Sequence, residues 1–250
     1  MKNIYFMSGI QRAGSTLITK LMNQHPDVFA SNTSSLFDFL FVANEKLAEL
    51  EKTSSSPQYI NRKKMLYDAC QSYYSFTDKT NIIDKHRGWA ANWANVNRDM
   101  LPNPKVIVTL RPFEETAASF YKILKKNGHI FTMEQIWKDF LDEPYKTLQQ
   151  SAEFKQHLHI VQYKDLIADT QGTMNKILDY LEITNYNFDL NNIVDNDPEN
   201  DKVWGIDGLH TVRKSVSYES IPPEQVMNND ELMFFRKATK RVYEAFELEI

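Results

Sequence analysis

The chain has a single cysteine, Cys70. That excludes an internal disulfide and any cysteine-built zinc site, and the ordinary role for Cys70 is that of a small buried hydrophobe. Glycine is scarce, with seven in 250 residues, so a turn that holds two of them stands out. No run approaches the ~18 consecutive apolar residues that a membrane span needs, and no internal repeat or low-complexity tract is present. Basic residues are not in excess: the net charge is −4 and the pI near 5.9. A general nucleic-acid binder would be basic, so an anionic small ligand must be held by a local cluster of cations. The remaining composition, 42% hydrophobic and 25% charged, is that of a soluble globular protein, at the upper edge of one domain and long enough for a sizeable core. A strand begins within a few residues of Met1, so no leader is expected and the expected location is the cytoplasm.

The two conspicuous glycines lie in Ile4-Tyr5-Phe6-Met7-Ser8-Gly9-Ile10-Gln11-Arg12-Ala13-Gly14-Ser15-Thr16-Leu17-Ile18. Apolar residues suited to a short buried strand come first, and Leu17, Ile18, Leu21 and Met22 then recur at helical spacing. A strand, a glycine turn and a helix N-terminus together make an anion site, because free N–H groups and the positive helix end converge. The spacing nearly fits GxxxxGK[ST], but Ser15 stands at the lysine position and the nearest cation, Arg12, lies upstream. A nucleotide triphosphatase needs that lysine on its phosphates and the next hydroxyl on Mg²⁺. The displaced cation suggests a different phosphate-bearing group, handled without a metal. The plain alternative is a surface turn.

Further along, Pro26 ends the first helix, and His25 reads as a packed or capping residue. Helices are expected over the apolar run from Leu36 to Leu50 and over 60–76, with a break at Ser54-Ser55-Ser56-Pro57. Ile82-Ile83 marks a second strand, followed at once by Asp84-Lys85-His86-Arg87-Gly88-Trp89. A helix runs from about Trp93 to Met100. Val106-Ile107-Val108-Thr109-Leu110 is a continuous β-branched run of the kind found inside parallel sheets. Arg111-Pro112 closes it before a helix over 114–124. Two helical stretches separated at Pro144 occupy 133–154, and His159 to Tyr163 is a fourth strand. Asp169 or Thr170 caps the next helix, where Met174, Ile177, Leu178 and Leu181 share a face. The segment 185–220 lacks periodicity and reads as a long loop or lid, and a last helix covers 229–248. Strands alternating with helices predict an α/β fold of three layers, a central parallel sheet with helices on both faces. Ligands in such sheets sit beyond the carboxyl ends of the strands. Those ends here carry the 9–16 loop, the 84–89 turn and Arg111.

Val106 to Pro112, with Ser119 eight residues after Arg111, resembles the 3′-phosphate-binding segment of sulfotransferases that use 3′-phosphoadenosine 5′-phosphosulfate (PAPS). The Gly9–Thr16 loop looks like that family's 5′-phosphosulfate loop, and Val161 to Leu166 is similar to its strand bearing Tyr-Glu-Asp-Leu. The order and spacing of the three segments match over about two-thirds of the chain. The resemblance implies a single sulfotransferase domain over 1–250 with the P-loop-like fold, its acceptor side formed by 31–76 and 185–220. It implies PAPS as donor, PAP (3′,5′-adenosine bisphosphate) as product, and no metal. Gln11, Arg12, Ala13, Gly14, Ser15, Thr16, Arg111, Ser119 and Tyr163 would bind the nucleotide. Two cationic sites, on Arg12 and on Arg111 with Ser119, would grip its opposite ends. Arg213 and Lys214 resemble a late Arg-Lys-Gly segment, with Ser215 in place of the glycine.

For catalysis the resemblance points to Arg12, Lys85 and His86, with His86 as base and Lys85 on the sulfuryl oxygens. Tyrosylprotein-type members use a Glu after a segment like His25-Pro26-Asp27-Val28, but 30–34 here holds no carboxylate, and Asp38 stands in reserve. The expected partner is a small-molecule, sugar or peptide acceptor, with no nucleic acid and no membrane. Several plainer readings stand beside these. Arg111 could instead pair with Glu114 or Glu115, and 84–87 could be a solvated turn. Trp89 and Trp204 could stack on a ring or, more commonly for tryptophan, pack. The competing functions are a P-loop small-molecule kinase and a non-catalytic nucleotide-binding module.

Overall fold

A computed structural model describes residues 1–195, 198–216 and 221–248. Its strands are β1 (Asn3–Gly9), β2 (Val28–Thr33), β3 (Asn81–Lys85), β4 (Val106–Leu110) and β5 (Leu158–Gln162). They form one parallel sheet in the order β2-β3-β1-β4-β5. The helices are α1 (Ser15–Met22), α2 (Leu36–Thr53), α3 (Arg62–Tyr73), α4 (Gly88–Ala91), α5 (Trp93–Asp99), α6 (Phe113–Lys126), α7 (Met133–Ile136), α8 (Asp142–Ser151), α9 (Tyr163–Ala168), α10 (Thr170–Leu181) and α11 (Asn229–Phe246). None is long and apolar enough to cross a membrane among the described residues.

The sheet is covered on both faces, so its strands read as continuous apolar runs rather than alternating ones. Phe6, Ile82, Val106, Val108 and Leu110 point into one core, with Trp89, Phe113 and Phe235. Met7, Ile83 and Ile107 point into the other, against Ile18 and Leu21 of α1 and Met174, Ile177 and Leu178 of α10. These helical residues are the ones whose spacing marks an amphipathic face. Asp169, not Thr170, caps α10, its carboxylate accepting the Gly172 N–H at 2.9 Å.

Two expectations need correction. The segment 28–33 is an edge strand, β2, which sequence patterning passes over because its second half is Ser31-Asn32-Thr33. The break inside 133–154 is a π-helical turn, Trp137–Leu141, and not Pro144, which sits in the first turn of α8. The π-turn runs directly into α8, where Pro144 has no N–H to give to the preceding turn. Residues 185–195 and 198–216 are largely loop, with a 3₁₀ turn at Asp201–Trp204. Positions 196–197 and 217–220 of the expected lid lie outside the described residues.

The strand order decides where a site can be. The chain leaves β1 toward β2 on one side of the sheet, and leaves β4 toward β5 on the other. The crevice between the carboxyl ends of β1 and β4 is therefore the topological switch point of the sheet.

Candidate active site

The turn after β1 is shaped by its backbone. Gly9 takes φ +124°, and a Cβ there would lie 2.2 Å from the Thr109 carbonyl oxygen. Only glycine lets β1 and β4 stay this close. Gly14, at φ +89°, caps α1 without a side chain, and a Cβ would meet Leu166 Cδ2 at 2.6 Å. The first helical bond runs from Ile18 N–H to the Gly14 carbonyl at 3.0 Å. The N–H groups of Ser15, Thr16 and Leu17 thus have no acceptor within the helix. They open onto a cavity of about 290 Å³ lined from β1, β3, β4, α1, Tyr163 and the segment 209–216.

Two guanidiniums meet in this cavity. Arg111, at the end of β4, is buried; its Nη1 donates to the Arg12 carbonyl at 3.1 Å and its Nε to Glu115 at 3.0 Å. Its guanidinium lies 4.3 Å from the centre of the Tyr163 ring. Arg12, held at φ +61°, turns its side chain the same way: Nε donates to Ser119 Oγ at 3.1 Å and Nη1 to the Leu209 carbonyl. Burial first, and then repulsion from Arg111, push the Arg12 guanidinium below its ordinary range. The two cationic sites expected from the sequence are therefore one joined cluster, in which Ser119 bonds Arg12 and Arg111 holds the Arg12 carbonyl. The ion pair of Arg111 with Glu115 is present as well.

The end of β3 is not a solvated turn. Asp84 is fully buried and accepts from Ser34 Oγ at 2.5 Å, from Trp89 Nε1 at 2.7 Å and from the Tyr74 hydroxyl. Burial pushes its carboxyl up, against the pull of these three donors. Trp89 is thus a packing residue, against Phe6 and Phe37. Lys85 is buried beside it and ion-paired to Glu199 at 2.7 Å. His86 stacks on Phe37 with ring centres 4.4 Å apart. Its Nδ1 accepts the Gly88 N–H at 3.1 Å, so the neutral ring carries its proton on Nε2, 3.6 Å from Asp38. Burial, only partly offset by Asp38 and Asp84, holds the imidazole below its usual range.

The late segment adds a second histidine, His210, to the cavity lining and sets two carboxylates behind it. Glu199 joins Lys85 by one oxygen and faces His210 Nε2 at 3.6 Å by the other. Burial opposes ionisation of Glu199, but the charge and hydrogen bond of Lys85 pull its carboxyl below the ordinary glutamate range. Asp201 takes both the His210 N–H, at 3.0 Å, and the ring Nδ1, at 2.6 Å. Lys20 pairs with Asp195 at 2.6 Å.

Of the residues marked in the sequence, Gln11, Arg12, Gly14, Ser15, Thr16, Lys85, His86, Arg111, Ser119, Tyr163 and Arg213 line this one cavity. Ala13 turns its methyl into the core, and Lys214 is exposed and outside the lining. Trp204 is 62% exposed and also outside it. Sequence reasoning missed Glu199 and Asp201. Their signal is confined to a polar, aperiodic stretch whose place depends on chain closure.

A parallel α/β sheet with a glycine turn, a helix N-terminus and two arginines at its switch point is a frame suited to an anionic ligand. A model described as the Sulfotransferase family matches residues 5–187, and the chain belongs to that family. Among curated proteins no match is found. Solved structures that share the fold include the sulfotransferase domain of the Synechococcus PCC 7002 olefin synthase (15% identity, TM-score 0.55, covering 100% of this chain and 96% of that one). A sulfotransferase from Alicyclobacillus acidocaldarius is 11% identical, with a TM-score of 0.55 and coverage of 99% and 94%. The mouse sulfotransferase SULT7A1, solved in complex with PAP, is 12% identical, with a TM-score of 0.58 and coverage of 97% and 84%.

Proposed function

We propose that this sulfotransferase uses PAPS as donor and moves the sulfuryl group, without a metal, to a hydroxyl or amine of a small molecule, sugar or peptide. The observation that carries this is the single cavity in which Arg12, Arg111, Ser119 and the N-terminus of α1 converge. Its residues fit a doubly phosphorylated nucleotide. A buried guanidinium, Arg111, and a half-buried one, Arg12, that repel one another are stabilised when an anion comes between them. Gln11 Oε1 is buried with no hydrogen-bond partner among the described residues, an acceptor left for a ligand donor. Ser15 in place of the P-loop lysine removes the usual hold on a triphosphate. That PAP occupies the mouse structure of the same fold supports the reading.

The donor brings an activated sulfuryl group whose departure leaves negative charge on the phosphate. Arg12 and the N–H groups of Ser15 and Thr16 hold charge at that end, where one such preorganised donor is typically worth ~2.7–4 kcal/mol. Arg111 and Ser119 bind the second phosphate, with Tyr163 flanking the base and Arg213 closing over it. Ala13 contributes backbone only. Lys85 faces the sulfuryl oxygens once released from Glu199. The acceptor enters beside α2, where Phe37 and His86 form an aromatic wall; His86 serves as base there only from a lone pair that Gly88 now occupies.

Isothermal titration checks the donor. PAP is expected to bind and ATP–Mg²⁺ to bind far more weakly; the reverse order would make the protein a P-loop kinase or nucleotide module.

A further inference from the structure

The late segment holds a second imidazole with better geometry for proton transfer than His86. Asp201 is buried and grips His210 twice, by the backbone N–H at 3.0 Å and by Nδ1 at 2.6 Å. A carboxylate accepts only, so Nδ1 must carry the proton and the neutral ring presents a lone pair on Nε2. That nitrogen belongs to a residue lining the cavity. It lies 3.6 Å from Glu199 Oε2, too far for a direct hydrogen bond, while Glu199 spends its other oxygen on Lys85 at 2.7 Å. The adjoining Leu209 carbonyl is tied to Arg12. His210 is thus adjacent in the chain to the carbonyl that holds Arg12, and it shares Glu199 with Lys85. The carboxylates beside it are Asp201 and Glu199.

We propose that His210, oriented by Asp201, takes the acceptor's proton in sulfuryl transfer; this rests on the PAPS reading above. As the acceptor oxygen forms its bond to sulfur, its O–H pair stays on that oxygen and the proton passes to Nε2. The bond from sulfur to the bridging phosphate oxygen breaks, and that electron pair leaves on PAP. The proton is later lost to solvent. Asp201 is a positioning residue: it touches the ring and not the substrate, and fixes the tautomer.

The test needs no knowledge of the natural acceptor, because water can serve. Release of labelled sulfate from [³⁵S]PAPS is followed in wild type, His210→Asn and Asp201→Asn, with PAP affinity measured by calorimetry in each. A general base typically contributes ~10²–10⁴-fold. His210→Asn is therefore expected to lose about 10²-fold or more in release while binding PAP as wild type does, and Asp201→Asn to be slowed as well. Long-range ¹H–¹⁵N NMR at pH 8, on wild-type protein, should find His210 with its proton on Nδ1 and His86 with its proton on Nε2. Release unchanged in His210→Asn that still binds PAP would overturn the assignment. So would wild-type protein that binds PAPS but releases no sulfate, or a neutral His210 protonated on Nε2. Protein that binds neither PAP nor PAPS overturns the donor reading instead, and the tautomer alone then upholds or removes the Asp201–His210 dyad. The NMR result also stands if a variant fails to fold.

Discussion

Arg111 ties together parts of the site that come from three separate places in the chain. One guanidinium bonds the Arg12 carbonyl, pairs with Glu115 and lies over the Tyr163 ring. A planar, forked donor can do this and still present an edge to a phosphate, whereas an ammonium offers one compact charge. Arg111→Lys is therefore expected to keep the fold, since a cation remains beside Glu115. It should weaken PAP binding by about tenfold or more, roughly 1.4 kcal/mol. Circular dichroism and titration calorimetry on the same sample separate the two effects. Equal affinity in the lysine variant would show that the planar contacts are incidental. His86 teaches the complementary lesson at this scale. The residue type suits a base, but one backbone N–H from Gly88 decides which nitrogen is available.

At the scale of elements, local signals and long-range closure divide the molecule. α10 is readable end to end: Asp169 caps it, and Met174, Ile177, Leu178 and Leu181 give it a buried face. Removing the cap with Asp169→Ala should cost about 1 kcal/mol, seen as a lower urea midpoint with unchanged slope. A variant as stable as wild type would mean that packing alone holds the helix start. β1, β3 and β4 were legible because both faces of an inner parallel strand are buried and demand β-branched or apolar residues throughout, and β5, at one edge, was legible from Ile160 and Val161. β2 was not, because an edge strand tolerates Ser31, Asn32 and Thr33, and Ser31 Oγ there accepts the Lys85 N–H. The loop of 9–16, Arg111 and Ser119 were legible as a site because their spacing within and after strands carries the chemistry. Glu199 was not. Its partner Lys85 lies 114 positions away, and no periodicity announces that the polar stretch folds back over the sheet.

For the whole molecule, the parallel sheet places every cation-bearing strand end on one edge, and burial of the groups behind that edge makes stability depend on pH. His159 on β5 stacks on Tyr180 with ring centres 4.9 Å apart. Burial, with Lys176 nearby, pushes its imidazole below 6.5, and burial does the same to His86. A fold that keeps a histidine neutral is at its most stable above the unfolded value. As pH falls below about 6.5 the unfolded chain takes up protons that the folded one refuses, and stability drains until the lower folded value is reached. Asp84 works with the opposite sign, since burial raises its carboxyl and its contribution weakens as pH rises from 3.8. Comparing two proteins that share Asp84 cancels that part. The urea midpoint of wild type should therefore drop more between pH 7.5 and 5.5 than that of His159→Asn, which has no proton to take up there and lies outside the cavity lining. Parallel pH profiles for the two would show that His159 titrates alike in the folded and unfolded chains. The same comparison with His86→Asn then measures how much of the remaining slope belongs to the active-site edge, because burial holds that ring below its usual range as well.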